Sequence, residues 1–429
     1  MKILLTGASG FIGGALRTAL RGDGHALRLA GRRAIEDLQA GEEWVSLDLA
    51  RPDGAGAAWR TALSGVDVLV NTVGILRERG GQTFAALHVE GPRCLFQAAV
   101  DAGVRRIVHI SALGADGGAR SSYHRSKKAA DDFLLALPVK VAVAQPSLVF
   151  GPGGASARWF ATLAALPLLP LPAGGRQPLQ PIHLDDLVAC LVALIASSAG
   201  PSRRIALVGP EPLTLAAYLE ALRRAMGLPP AWTVSIPRAW VSLGAGIAGH
   251  LPGSALDRET WQMLERGNVA PVDDTRALLG RLPRRPAAFV PRAFARSVRR
   301  AAQLDAFVPL LRLSIAAVWI VTGIVSLGPY PVAASYALLA RTGLEGALAS
   351  TALYGAALLD LGLGLATLLL KRRRWLWLAQ IVLILGYTLI ISVQLPEFWL
   401  HPYGPVLKNL PMLAALWLLY SVDREAAGS

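Results

Sequence analysis

Four apolar stretches crowd the last third of the chain, at residues 308–327, 346–370, 375–395 and 406–420, and they constrain its fold more than any other feature. A lipid interior satisfies no backbone N–H or C=O group, so a crossing segment must be a helix of about 20 apolar residues or part of a closed barrel. The second stretch is the strongest, and four in so short a span exceed what a soluble core needs. Arg312 and Lys408 fall near the ends of their stretches, where long side chains reach headgroups. Asp360 falls well inside the second, where a carboxyl group has to face the bundle interior, either as a functional group or as a polar tie between helices.

Charge sets the expected orientation. The chain carries a formal net charge of +14. Nine arginines stand against one acid, Asp305, between Arg276 and Arg312, directly before the first apolar stretch. Lys371, Arg372, Arg373 and Arg374 separate the second stretch from the third, whereas the other two connections hold only Arg341 and His401. The positive-inside rule then places the N-terminal part and the chain end near Arg424 on the cytoplasmic side of a cell (inner) membrane, with four crossings between them. The same placement favours a membrane surface over nucleic acid as the partner of the basic charge.

The remainder reads as a soluble unit. The hydrophobic fraction of 53% coexists with 17% charged residues, as expected of a soluble part joined to an apolar one. Cys94 and Cys190 share no metal-ligand spacing and support no disulfide framework. Residues 1–16 are read as a strand, loop and helix, because glycines break the apolar run a signal peptide would need. Apolar runs at 2–5, 26–30, 66–71, 106–110 and 139–144 alternate with helical patterns at 11–20, 84–102 and 123–137. That order predicts an α/β, doubly wound parallel sheet over residues 1–300, with a small second lobe from about 146. Within the lobe, residues 231–256 are apolar and glycine-rich, and suit either lobe packing or a membrane surface. An all-α four-helix transmembrane bundle follows over 305–425.

The run Thr6, Gly7, Ala8, Ser9, Gly10, Phe11, Ile12, Gly13 follows a strand and opens a helix. Glycine allows a tight turn and close approach, and the free N–H groups of a helix start favour pyrophosphate. At the end of the second strand stand Arg32 and Arg33, which could grip the 2′-phosphate of NADP where an acid would bind the ribose of NAD. NADP(H) is therefore the preferred cofactor and NAD(H) the alternative. Asp48 is placed to meet the adenine edge, and Asn71, Thr72, Val73 and Gly74 close the fourth strand beside the groove. Tyr123 and Lys127 share one helix face, so an ammonium group could lower the phenol's pKa and make it a general acid/base. Lys127 could also hold the nicotinamide ribose, and Ser111 could orient a substrate carbonyl or alcohol. Asp185, in His183-Leu184-Asp185-Asp186, reads as a helix cap and His183 as a packing group.

In series, these residues resemble the extended or atypical branch of the short-chain dehydrogenase/reductase superfamily, which includes sugar-nucleotide epimerases. Pro146 to Pro152 extend the match, and 109–115 with 180–183 look closest to proteins akin to the NADPH-binding accessory subunit of respiratory complex I. The resemblance implies catalytic Ser111, Tyr123 and Lys127, and adds Leu49, Val73 and Pro146 to the cofactor contacts. It also places His88 where many relatives have an asparagine supporting the proton relay, and Gln145 where an arginine is common. Residues 401–409 resemble a DoxX-like membrane domain, a group associated with membrane redox systems and quinone. The expected function is a membrane-bound NADP-dependent oxidoreductase or epimerase-like enzyme acting on an unidentified small molecule. Two alternatives are a non-catalytic NADPH-binding scaffold of a membrane assembly, and hydride or electron delivery to quinone or a membrane redox partner.

Overall fold

The computed structural model describes residues 1–51, 56–197, 200–248, 257–371 and 373–425, so Arg372 and part of the 231–256 segment lie outside the described residues. The chain divides into two compact units, Met1–Ala302 and Gln303–Ser429.

The first unit is built on β1 (Lys2–Thr6), β2 (Ala26–Gly31), β3 (Glu42–Ser46), β4 (Val68–Asn71), β5 (Arg106–Ile110) and β6 (Lys140–Pro146). With strand Arg203–Leu207 they form one seven-stranded sheet. Its order is Arg203–Leu207, β6, β5, β4, β1, β2, β3, and every pairing is parallel. The order reverses between β1 and β4, which opens a crevice at the carboxyl ends of those strands.

Alternation along β1 shows why both faces are covered. Ile3 and Leu5 point into a core shared with Leu16 and Leu20 of α1 (Phe11–Gly22) and with helix Leu184–Ala196. Leu4 points the other way, into a core with α2 (Gly56–Leu63) and Phe96 of α3 (Gly91–Asp101). Leu134 of α4 (Ser122–Leu135) joins that second core. Strand side chains alternate with period two, so a strand apolar at consecutive positions has to be buried on both sides. The lobe has its own core, centred on Phe160, Leu171, Tyr218 and Phe289.

The second unit is helical. Among the described residues, three helices are long and apolar enough to cross a membrane: Arg292–Leu327, Gly346–Leu369 and Arg374–Gln394. The fourth apolar stretch becomes helix Asn409–Glu425, whose 17 residues sit at the short limit for a crossing. A short helix, Val332–Arg341, occupies the first connection, where the sequence pattern suggested none. The helix ends sort into two sets. Asp423 pairs with Arg312 and accepts the Trp377 Nε1–H at 2.8 Å, which brings together the start of the first apolar stretch, the start of the third helix and the end of the last. Arg341 pairs with Glu397 in the opposite set of connections. Four rods running alternately up and down produce that sorting. Inside, the Trp319 indole N–H donates to Gln380 Oε1 at 2.9 Å, and the Gln380 amide donates to Thr367 Oγ1 at 2.9 Å. Asp360 is 6% exposed.

Candidate active site

The loop after β1 is shaped by what it cannot hold. A Cβ on Gly13 would lie 2.1 Å from the Gly7 carbonyl oxygen, and Gly7 itself sits at φ +78. Both positions therefore require glycine. Gly10 precedes α1 in extended backbone, and no side chain caps the first turn. Its N–H groups are left for a ligand, and an anion is what a helix start favours. Thr6 is fully buried, and its hydroxyl donates to Asn71 Oδ1 at 2.7 Å, while Thr72 Oγ1 donates to the Thr6 carbonyl at 2.7 Å. These bonds tie the loop to the end of β4. Ser9 is exposed, and Phe11 and Ile12 are half-buried at the rim.

Arg32 and Arg33 follow β2 and are exposed. With its amide oriented to satisfy both groups, Gln82 accepts from the Arg32 terminal nitrogens at 2.8 and 2.7 Å. Asp48 accepts the Ala50 N–H at 3.0 Å, and Leu49 is buried in the core beneath it. Pro146 ends β6 and its carbonyl accepts the Leu113 N–H at 2.9 Å.

Ser121 starts α4 by accepting the His124 N–H at 3.2 Å, and this cap sets Tyr123 and Lys127 on the first turns. Lys127 is 3% exposed, and its ammonium group donates to the Ile110 carbonyl at 3.1 Å and the Val73 carbonyl at 3.4 Å. A Cβ on Gly74 would lie 3.0 Å from the same nitrogen. Two of its three N–H donors are thus aimed at the strand ends, and the third can serve a ribose hydroxyl. Burial pulls its pKa down to about 8, against the upward pull of Asp131.

The Tyr123 ring is enclosed by Phe84, His88 and His124, with centroids at 6.1, 5.6 and 5.3 Å. Burial pushes its pKa up to about 12, and Asp131 adds to the rise. The phenol is therefore protonated at neutral pH, contrary to the expectation that Lys127 would lower it. His88 lies in a π-helical segment, Ala85–Glu90, and is buried. Its Nε2 accepts the Ile75 N–H at 2.9 Å, so the ring proton sits on Nδ1, 2.9 Å from Ser126 Oγ. The Ser126 hydroxyl in turn donates to the Tyr123 carbonyl at 2.8 Å. Burial first, and the Lys127 charge second, hold the imidazole neutral, at a pKa of about 2. His88 thus braces the backbone and ring of Tyr123.

Ser111 is placed differently from the expectation. It is 3% exposed and its hydroxyl donates to Asp131 Oδ2 at 2.8 Å, so its proton is committed to a buried carboxylate. The Gln145 amide reaches the same oxygen at 3.2 Å. Asp131 is fully buried, with His109 Nε2 at 3.6 Å, and burial pushes its carboxyl up to about 6 against these bonds. Asp131 was not singled out in the sequence, although its place four residues after Lys127 puts both on one helix face.

Thus the glycine loop, Asn71, Lys127 and Tyr123 meet along the carboxyl ends of β1, β4 and β5, where a dinucleotide lies in folds of this topology. Residues 3–209 match the NAD dependent epimerase/dehydratase family, and residues 316–417 match the DoxX-like family. The chain joins an NAD-dependent epimerase/dehydratase domain to a DoxX-like domain. A ceramide reductase of Caulobacter vibrioides is 32% identical over 197 residues, which cover 44% of this chain and 60% of that protein. A mitochondrial NADH dehydrogenase 1 alpha subcomplex subunit 9 of Mus musculus is 28% identical over 158 residues, 35% of this chain and 41% of that one. The epimerase/dehydratase domain shares its fold with a solved nucleoside-diphosphate-sugar epimerase of Staphylococcus aureus. That likeness has a TM-score of 0.56 and 18% identity, over 68% of this chain and 99% of that one.

Proposed function

We propose that the protein is a membrane-anchored, NADP(H)-dependent reductase of the short-chain type, which delivers a proton from Tyr123 to a carbonyl oxygen. The observation that carries this reading is the Tyr123 ring packed against Phe84, His88 and His124 on the helix that also carries the buried Lys127 four residues on. A phenol with a pKa of about 12 holds its proton until a developing alkoxide takes it, which suits reduction better than oxidation. Backbone N–H groups at the start of α1 and the glycine loop would hold the pyrophosphate, and Lys127 the nicotinamide ribose. Arg32 and Arg33 support NADP over NAD. When bound, the reduced nicotinamide supplies the hydride.

His88 positions Tyr123 and stays neutral, while Asp131 anchors Ser111 and compensates the Lys127 charge. The reductase name of the Caulobacter relative agrees with this direction of reaction. Cations at one end of the helical unit, Arg312, Arg373 and Arg374, favour a cytoplasmic placement of that end. A non-catalytic, cofactor-holding role, favoured by the likeness to a respiratory-complex subunit, is separated by one experiment. Tyr123→Phe should bind NADPH within about twofold of wild type yet lose at least ~100-fold in ketone-dependent NADPH oxidation. Undiminished turnover in the variant would overturn the catalytic role of Tyr123, and absence of turnover in the wild type across a ketone panel would favour the scaffold.

A further inference from the structure

The lobe exposes large apolar side chains on an element whose inner face is already satisfied. Helix Arg238–Ala248 packs Val241 and Ala245 against Trp261, whose indole N–H donates to Ser242 Oγ at 3.2 Å. On the other side of that helix Trp240 is 68% exposed and Leu243 56%. The strand just before it, Trp232–Ile236, pairs with Leu168–Pro172, setting Trp232 opposite Leu168. Trp232 is 83% exposed, and Leu168 and Val234 about half. A domain bathed only in water gains nothing from two tryptophans held in this way.

We infer that this face, centred on Trp232, Trp240 and Leu243, is seated in the interface of an anionic bilayer, and that the substrate is an amphiphilic carbonyl drawn from that bilayer. Three observations select lipid as the occupant. An indole ring, with an apolar body and one N–H, is the side chain best matched to the headgroup level. The helix's 11 described residues are enough to lie in a membrane surface, and Arg238, His250 and Pro252 break the apolar run that a crossing would need. Residues 276–300 carry eight arginines and no acid; Arg276, Arg281, Arg284 and Arg285 pair with carboxylates of the domain, while Arg292, Arg296, Arg299 and Arg300 complement anionic headgroups where the chain enters its first membrane-length helix.

The substrate half rests on the Tyr123 reading given above. Helix Arg258–Arg266 lies between the exposed face and the groove. Glu259 accepts the N–H of Ser122, next to Tyr123, at 3.1 Å, and Asp257 pairs with Arg77 at 3.0 Å. Arg266 donates to the Gly114 carbonyl at 2.8 Å and to both Asp116 oxygens at 2.6 Å. One helical layer therefore separates the lipid-facing surface from the groove around Tyr123.

The test uses the full chain in vesicles of phosphatidylcholine and phosphatidylglycerol at 3:1. In a Cys94→Ser background, Trp240→Cys carrying an environment-sensitive fluorophore should be quenched at least twofold by lipids spin-labelled near the headgroup end of the acyl chain. No quenching overturns the surface assignment, whether the probe stays polar or is covered by the helical unit of the same chain. For the substrate, Trp240→Glu with Leu243→Glu should slow NADPH oxidation by a long-chain 2-ketone at least tenfold and leave that by butan-2-one unchanged. Equal effects on both ketones, or no oxidation of the long-chain one by wild type, overturn the substrate half. Quenching together with unimpaired Tyr123→Phe would leave the surface standing and remove the catalytic reading instead.

Discussion

The buried position of Lys127 makes a two-sided prediction about pH. Its ammonium group is 3% exposed and its pKa is drawn from an ordinary 10.5 to about 8, with burial as the larger cause and Asp131 opposing it. At pH 9.5 a lysine titrating at 8 is only ~3% charged, whereas an unperturbed one would be ~90% charged. If the ammonium form binds the cofactor, kcat/KM for NADPH should decline above pH 8 and fall roughly 30-fold by pH 9.5, because this ratio reports the free enzyme.

Stability moves the other way. A lysine whose folded pKa lies below its unfolded value carries a cost that is complete below pH 8 and relieved as pH rises toward 10.5. The cofactor-free protein should therefore gain up to about 3 kcal/mol over that window. Initial rates at varied NADPH and thermal melts of the same samples measure the two trends. Lys127→Met should sit at the low alkaline rate at every pH and lose the inflection. A flat kcat/KM up to pH 10, with Lys127→Met as active as wild type, would refute the placement of this charge in cofactor binding.

Other expectations are narrower. Arg32→Ala should weaken NADPH by about 10- to 100-fold, the worth of a charge-assisted pair of hydrogen bonds, and leave NADH affinity unchanged in calorimetric titrations; an equal loss for both would place Arg32 away from the 2′-phosphate. Gly13→Ala puts a methyl group 2.1 Å from the Gly7 carbonyl oxygen, so it should cost about 1–3 kcal/mol in stability and abolish the NADPH fluorescence enhancement. Retained binding with an unchanged melting temperature would mean the loop yields freely.

Local features of the sequence carried the fold well. The glycine run, the alternation of strands with helices and the apolar stretches each depend on near neighbours, and each marks an element that formed where its residues indicated. Helix Val332–Arg341 escaped notice because it lies in a connection between apolar stretches and carries no strong period of its own. The site was legible in its parts and less so in its chemistry. Tyr123 and Lys127 share a helix face as their spacing requires, yet the phenol's pKa rises because the rings of Phe84 and His88, about forty residues back in the chain, help enclose it. The Ser111 hydroxyl is committed for a similar reason: its partner Asp131 and that partner's second donor Gln145 meet it only once β5, α4 and β6 are side by side.

Native mass spectrometry of the full chain, released from detergent after incubation with NADPH and NADH together, addresses the central claim most directly. The expected spectrum shows one dinucleotide per chain, NADPH in preference to NADH, and none on Gly13→Ala. A chain that takes up neither dinucleotide, or a Gly13→Ala variant that binds as wild type does, would contradict the account at its root.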